Sequence, residues 1–152
     1  MDFRKFIKEN NVILDGATGT ELQKLGLTSR ELPERWNISR KDALIDLHKA
    51  YYDAGSNVVS ANTFGANSLH YDDRELEEVI AAGLANVIKA RELSESTAEK
   101  FVAADVGPTG RLLKPYGDLG FEDAVDIFAK TVRLAAKYGA EIIFIQTMSD
   151  TA

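Results

Sequence analysis

The chain has 152 residues, the length of one domain, with 45% hydrophobic and 28% charged residues, so it can bury a core and stay soluble. A formal net charge of -6, with no basic run to override it, argues against a nucleic-acid or anionic-membrane partner. Cysteine is absent, which excludes disulfides, a cysteine nucleophile and any thiolate metal site made from these residues.

The N-terminal MDFRKFIKENN lacks the apolar core of a signal peptide, and no stretch approaches a membrane span, so the expected address is the cytoplasm. The first apolar run, NVILDG from Asn11, is β-branched and nearly continuous, the pattern of a strand buried on both faces. A long loop, LGLTSRELPERWNISRKD (25–42), reads as a lid or packing segment rather than a domain joint. From Asp42, DALIDLHKAYYDAG places Ala43, Leu44, Leu47, Ala50, Tyr51 and Ala54 on one helical face, and Gly55 stops it.

A second strand, NVVSANTF, starts at Asn57, and a helix from Asp73 carries Leu76, Val79, Ile80, Leu84, Val87 and Ile88 on its core face. After the polar connection SESTAEK comes a third strand, FVAADVGPTG from Phe101. A helix from Phe121 follows, with Ala124, Val125, Phe128, Val132, Ala135 and Ala136 inward. Its acidic residues lie early and its basic residues late, which suits the helix dipole, and Gly139 ends it. The fourth strand is EIIFIQT from Glu141, with Asp150 beyond it as a cap for a further helix.

Strand starts thus recur about 40–45 residues apart, and alternating strand and helix implies a parallel sheet with right-handed crossovers. A doubly wound open sheet and a (β/α)8 barrel both fit, and either carries its ligand groups at the carboxyl ends of the strands. No linker divides the chain, so residues 1–152 read as one domain.

Each strand runs into a short polar or glycine-rich motif: DGATGT from Asp15, NTFGAN from Asn62, DVGPTG from Asp105 and QTMSD from Gln146. A parallel sheet brings all four to one rim. In the first, Gly16 and Gly19 let a ligand approach main-chain N–H groups, with Thr18 or Thr20 capping the next helix; it reads equally as a tight turn. It matches neither phosphate-binding glycine pattern. Asn62 can donate and accept toward a small polar ligand, or Asn62 and Thr63 can satisfy the loop backbone. GPTG shapes a pocket or is a stiff corner. His48 reads as a hydrogen-bonded structural histidine and His70 as solvated. DDRELEE reads as a solvated helix start. No catalytic residue and no metal ligand is identifiable.

ILDGATGTELQKLG, AGSNVVSANTFGAN, DVGPTG and IIFIQTMSD, in this order and spacing, resemble the homocysteine S-methyltransferase family over essentially the whole chain. GPTG and TMSD look most like the homocysteine-binding module of the cobalamin-dependent methionine synthases. The resemblance implies a (β/α)8 TIM-type barrel, of which this chain supplies the first four β/α units, a half-barrel. It implies homocysteine at the carboxyl-end rim, contacted around Asp15, Gly16 and Thr18, with Asn62 and Thr63 on the pocket wall. It implies a carboxylate at the position of Gln146 for the substrate ammonium. It also implies a zinc ion, held by three cysteines of the later strands, that binds the substrate sulfur, and a methyl donor such as cobalamin.

Gln146 departs from that pattern, and the zinc cysteines have no counterpart. These residues alone are therefore expected to bind no metal or cofactor and to be inactive by themselves. The expected partners are homocysteine and a complementary half-barrel or second copy. The alternatives are a methyltransferase with another thiol acceptor, a non-catalytic half-barrel binding a small amino acid, and an unrelated parallel α/β ligand-binding protein.

Overall fold

The computed structural model describes residues 2–149. It opens with a helix that the strand and helix patterns do not announce, α1 (Phe3–Glu9), started by the Asp2 carboxylate accepting from the Arg4 N–H. Then follow α2 (Thr18–Lys24), a 3-10 turn (Pro33–Arg35), α3 (Trp36–Ser39), α4 (Lys41–Asp53), β1 (Val58–Ala61), α5 (Asp73–Leu93), β2 (Phe101–Val106), α6 (Phe121–Lys137) and β3 (Ile142–Ile145).

The strands form a parallel sheet in the order β1-β2-β3, with Val58 opposite Phe101 and Ala103 opposite Ile142. The side-chain period of two sorts the strand residues onto two faces. Val59, Ala61, Val102, Ala104 and Ile143 pack with Tyr52 of α4, Leu76, Val79, Ile80, Leu84 and Val87 of α5, and Ala135 of α6. Val58, Phe101, Ala103, Ile142 and Phe144 face the other way, where Phe3 and Phe6 of α1 close over them with Val12. The Phe3 and Phe6 rings meet Phe101 at centroid distances of 5.0 and 5.3 Å. Burying rings of this size stabilises by roughly 2–3 kcal/mol each. So α1 fills the lower half of this face and leaves its upper half to the strand ends.

The strand expected from Asn11 is reduced to one parallel bridge, Leu14 with Val58. Side chains take the places of ladder bonds at both ends of it. The Ile13 N–H donates to the Asn57 Oδ1 at 3.1 Å, and the Ser60 N–H donates to the Asp15 Oδ2 at 2.8 Å. Its outer edge has no strand beside it among the described residues, and Ile13 and Leu14 stay exposed.

The three long helices lie where the apolar periodicity put them, and Gly55 and Gly139 end two of them at φ of 103° and 98°. The inward stripes are shifted. In α4 the buried row is Leu44, His48 and Tyr52, spaced by four, while Ala50 and Ala54 are exposed. In α6, Val125 and Ala136 are exposed. Alanine loses little by facing water, so counting it as apolar misplaces the centre of a stripe. Val125 faces outward because no described element covers that side of α6. The 25–42 segment packs rather than gapes: Leu27, Glu34, Trp36 and Asn37 are all buried. No helix among the described residues is long and apolar enough to cross a membrane.

Candidate functional site

Above α1, the strand ends enclose an open cavity of about 470 Å³ lined by Asp15, Gly16, Thr18, Glu34, Asn62, Asp105 and Gln146, among others. Of the residues singled out in the sequence, Asp15, Gly16, Thr18, Asn62 and Gln146 therefore meet, although up to 131 positions separate them in the chain. Thr63 is not on this wall. Its hydroxyl donates to the Asp105 carbonyl at 2.8 Å and accepts from the Asp105 N–H at 3.0 Å. It ties the end of β1 to the end of β2.

The first motif is shaped by α4. A Cβ on Gly16 would lie 2.9 Å from the Tyr51 hydroxyl oxygen, and that hydroxyl donates to the Ala17 carbonyl at 3.0 Å. The glycine makes room for Tyr51 as well as facing the cavity. Neither threonine caps α2. The cap position is Ala17, which has no side-chain oxygen to accept from the first turn.

Asn62 is largely committed inward. Its amide nitrogen donates to the Pro33 carbonyl at 2.9 Å and to the Asn37 Oδ1 at 3.0 Å. Only its Oδ1 remains to meet a ligand. Asn37 in turn donates to the carbonyls of Asn62 and Val79, and Asn86 donates to the Asn37 carbonyl at 2.9 Å. This buried amide network fastens the 3-10 turn and α3 to the sheet and to α5.

What it carries to the site is Glu34, 2% exposed and buried within the long loop. The Glu34 carboxylate accepts from the Gly65 N–H at 2.6 Å and from the Tyr71 hydroxyl at 2.7 Å. Glu34 and Asp105 were not among the residues singled out. The one available signal for Glu34 is an acid directly following a proline in the long 25–42 segment; Asp105 stands in plain view at the head of DVGPTG.

Two carboxylates at the strand ends are strained electrostatically. Burial pushes Asp15 from its ordinary 3.8 up to about 6, against the opposing effect of the Ser60 N–H bond, and the Asp105 charge adds to the rise. Burial also raises Asp105, with Glu34 adding to it and the Gln146 bond opposing it. That bond is two-pronged: the Gln146 Nε2 donates to both Asp105 oxygens, each at 2.6 Å. The next residue, Thr147, holds φ at 61°, a left-handed conformation that a β-branched side chain rarely adopts.

His48 lies elsewhere, fully buried in α4 with no partner for either ring nitrogen. The hydrogen bond expected of it is absent, and burial lowers its pKa to about 4. His70 is exposed, with its Nδ1 2.9 Å from the Gly65 carbonyl oxygen. Asp72, at the start of DDRELEE, caps α5 by accepting from the Glu75 N–H at 2.9 Å. GPTG forms a packed corner: the Gly107 N–H donates to the Phe64 carbonyl at 2.9 Å, and Gly110 has φ of 77°. Among the described residues no three His, Cys, Asp or Glu side chains gather as metal ligands, and with no cysteine the chain does not fit a three-cysteine zinc site. The place expected for a helix cap at Asp150 lies outside the described residues.

Comparison with known proteins bears on this arrangement. The profile of the family described as homocysteine S-methyltransferase matches residues 12–152. The methionine synthase of Mycobacterium leprae (strain TN) is 27% identical over 160 residues, covering 98% of this chain and 13% of that protein. The metallated form of homocysteine methyltransferase MmuM from Escherichia coli superposes with a TM-score of 0.82 at 20% identity, over 97% of this chain and 58% of that one. Its oxidized form gives 0.79 at 20% identity, over 94% and 55%. At that identity the likeness speaks for the parallel α/β fold. The chain spans a little over half the length of these structures and a small part of the methionine synthase.

Proposed function

Because the chain belongs to the homocysteine S-methyltransferase family, we propose that its cavity is the homocysteine-binding part of a methyl-transfer site, carried on the first four β/α units of a (β/α)8 barrel. The observation that carries this reading is the meeting of all four strand-end motifs on one cavity. Sequential strand order supports the barrel, since a doubly wound sheet reverses direction partway along its order.

In this reading the substrate's carboxylate lies against the main chain at Gly16 and the Thr18 side chain, and its ammonium lies toward the acidic strand ends. Asn62 Oδ1 faces it from the side wall. The thiol points away from the sheet, toward what lies above the rim. Methyl transfer needs that thiol as thiolate, and a free thiol near its ordinary pKa of roughly 8.5 is mostly protonated at neutral pH. The family's zinc supplies that activation when bound. The donor set for it is missing from these residues, so the chain by itself binds the amino acid and does not turn it over.

Further β/α units complete the domain, from a complementary half or from a second copy. The support is an apolar groove of about 500 Å³ beside β3 and α6, lined by Leu113, Phe121, Val125, Phe128 and Ile145. Phe121 and Ile145 are 53% and 64% exposed, more than a settled helix and edge strand usually show.

Isothermal titration with L-homocysteine tests the site. Saturable 1:1 binding without methyl transfer is expected from the pure chain. No binding refutes the substrate, and turnover by the pure chain refutes the missing activation. Light scattering tests the assembly, because a monodisperse monomer at high concentration removes the second copy as the covering unit.

A further inference from the structure

The homocysteine reading leaves the substrate's ammonium without the carboxylate that the family pattern places at position 146. We infer that Asp105, held in place by Gln146, is the residue that reads the amino group of the ligand, with Asp15 beside it.

The geometry divides the labour between the two side chains. The Gln146 amide nitrogen lies 2.6 Å from both Asp105 oxygens, so one of its N–H groups is shared between them. An ionised carboxylate has about four acceptor positions, so about two remain for a ligand. The Gln146 Oε1 stays available, and Asp15, Asp105 and Gln146 line the same cavity. An alkylammonium has three N–H donors, and this wall offers three side-chain acceptors.

Charge points the same way. Asp15, Asp105 and Glu34 line one cavity, where the Asp105 charge raises Asp15 and the Glu34 charge raises Asp105, an arrangement that an incoming cation relieves and a neutral or anionic ligand does not. Position 146 is also coupled to position 105. A glutamate at 146 would set a second carboxylate within hydrogen-bond distance of Asp105, and the two could not both stay ionised. Glutamine at 146 keeps Asp105 charged and fixed. Gln146 is thus a positioning residue, and the charge that reads the amine sits at the end of β2.

The test uses the whole chain and three probes: L-homocysteine, its des-amino analogue 4-mercaptobutanoate, and L-methionine. Asp105→Asn should weaken L-homocysteine at least tenfold and change 4-mercaptobutanoate less than twofold. Gln146→Glu should bind L-homocysteine no more tightly at pH 7 and should release close to one proton on binding at pH 8, measured by titration in buffers of different ionisation enthalpy. Wild type should release almost none there. Should Asp105→Asn fail to fold, carboxyl 13C spectra of the wild type decide: L-homocysteine should lower the Asp105 pKa, and 4-mercaptobutanoate should not.

The inference rests on the homocysteine reading, and the outcomes separate the two. If wild type binds L-homocysteine and Asp105→Asn binds it equally well, the inference falls and the reading stands. If only L-methionine binds, with the same tenfold loss in Asp105→Asn, the reading falls and the amine assignment stands. If no amine binds, both fall.

Discussion

Asp15 should make the empty protein less stable than it would be with a neutral side chain in the same place. Its carboxyl is lifted from 3.8 to about 6, chiefly by burial and in part by Asp105. The folded value lies above the unfolded one, so the folded state holds the proton more tightly, and stability falls as the pH rises from about 4 to about 7. Taken in full, the rise corresponds to about 3 kcal/mol at pH 8, at about 1.36 kcal/mol per tenfold. The carboxyl is only partly buried, and solvent screening brings the working figure to about 1.5 kcal/mol. Asp15→Asn keeps an oxygen to accept the Ser60 N–H, which now reaches Oδ2 at 2.8 Å. The variant should match wild type near pH 4 and exceed it by about 1.5 kcal/mol at pH 8. Urea unfolding followed by the single tryptophan, Trp36, which is buried, measures this at each pH. A variant no more stable than wild type at pH 8, or a difference that does not change with pH, refutes the reasoning. The same variant should lose affinity for L-homocysteine, since the unfavourable charge is what an ammonium would neutralise.

His48 predicts the opposite pH limb. Burial lowers it to about 4, so wild type should lose stability as the pH falls from about 6.5 toward 4. His48→Leu should remove about 2 kcal/mol of that loss between pH 8 and pH 5, seen as a flatter dependence of the urea midpoint on pH; an unchanged slope counts against it. Gly16→Ala drives a methyl group against the Tyr51 hydroxyl and should cost about 1–3 kcal/mol. In a double-mutant cycle with Tyr51→Phe the two changes should be less than additive, and strict additivity would show that they do not touch. Asn37→Ala leaves the Asn62 and Val79 carbonyls without their buried donor and should cost about 3 kcal/mol by urea unfolding. A loss below about 0.5 kcal/mol would mean the amide network does not hold the loop.

Earlier expectations survive unevenly, and the unevenness has physical causes. The helices from Asp73 and Phe121 begin where acidic residues and apolar spacing placed them, since both signals lie within a turn or two of the chain. The strand from Asn11 carried the same apolar signal as the others, yet only Leu14 bridges, because Asn57 and Asp15 spend their side chains on the ladder. Helix α1 and the short 33–39 helical segment escaped notice. Both are too brief to show a period, and their buried residues, Phe6 and Trp36, count only once their partners are known.

Alternation of strand and helix, the four rim motifs and the absence of cysteine are properties of the sequence alone. They dictate a parallel sheet with polar residues at one set of strand ends, because hydrophobic period and chain direction are local facts. The division of labour at those ends is not local. Gln146 reaches Asp105 from 41 positions away, Glu34 reaches Gly65 from 31, and Asn62 turns to Asn37 from 25. Such pairings depend on register and on how a loop is packed, so tertiary structure decided which polar side chain serves the fold and which faces the cavity. Asn62 and Thr63, adjacent in one motif, were separated in this way: one keeps an oxygen on the cavity wall, and the other binds two strands together.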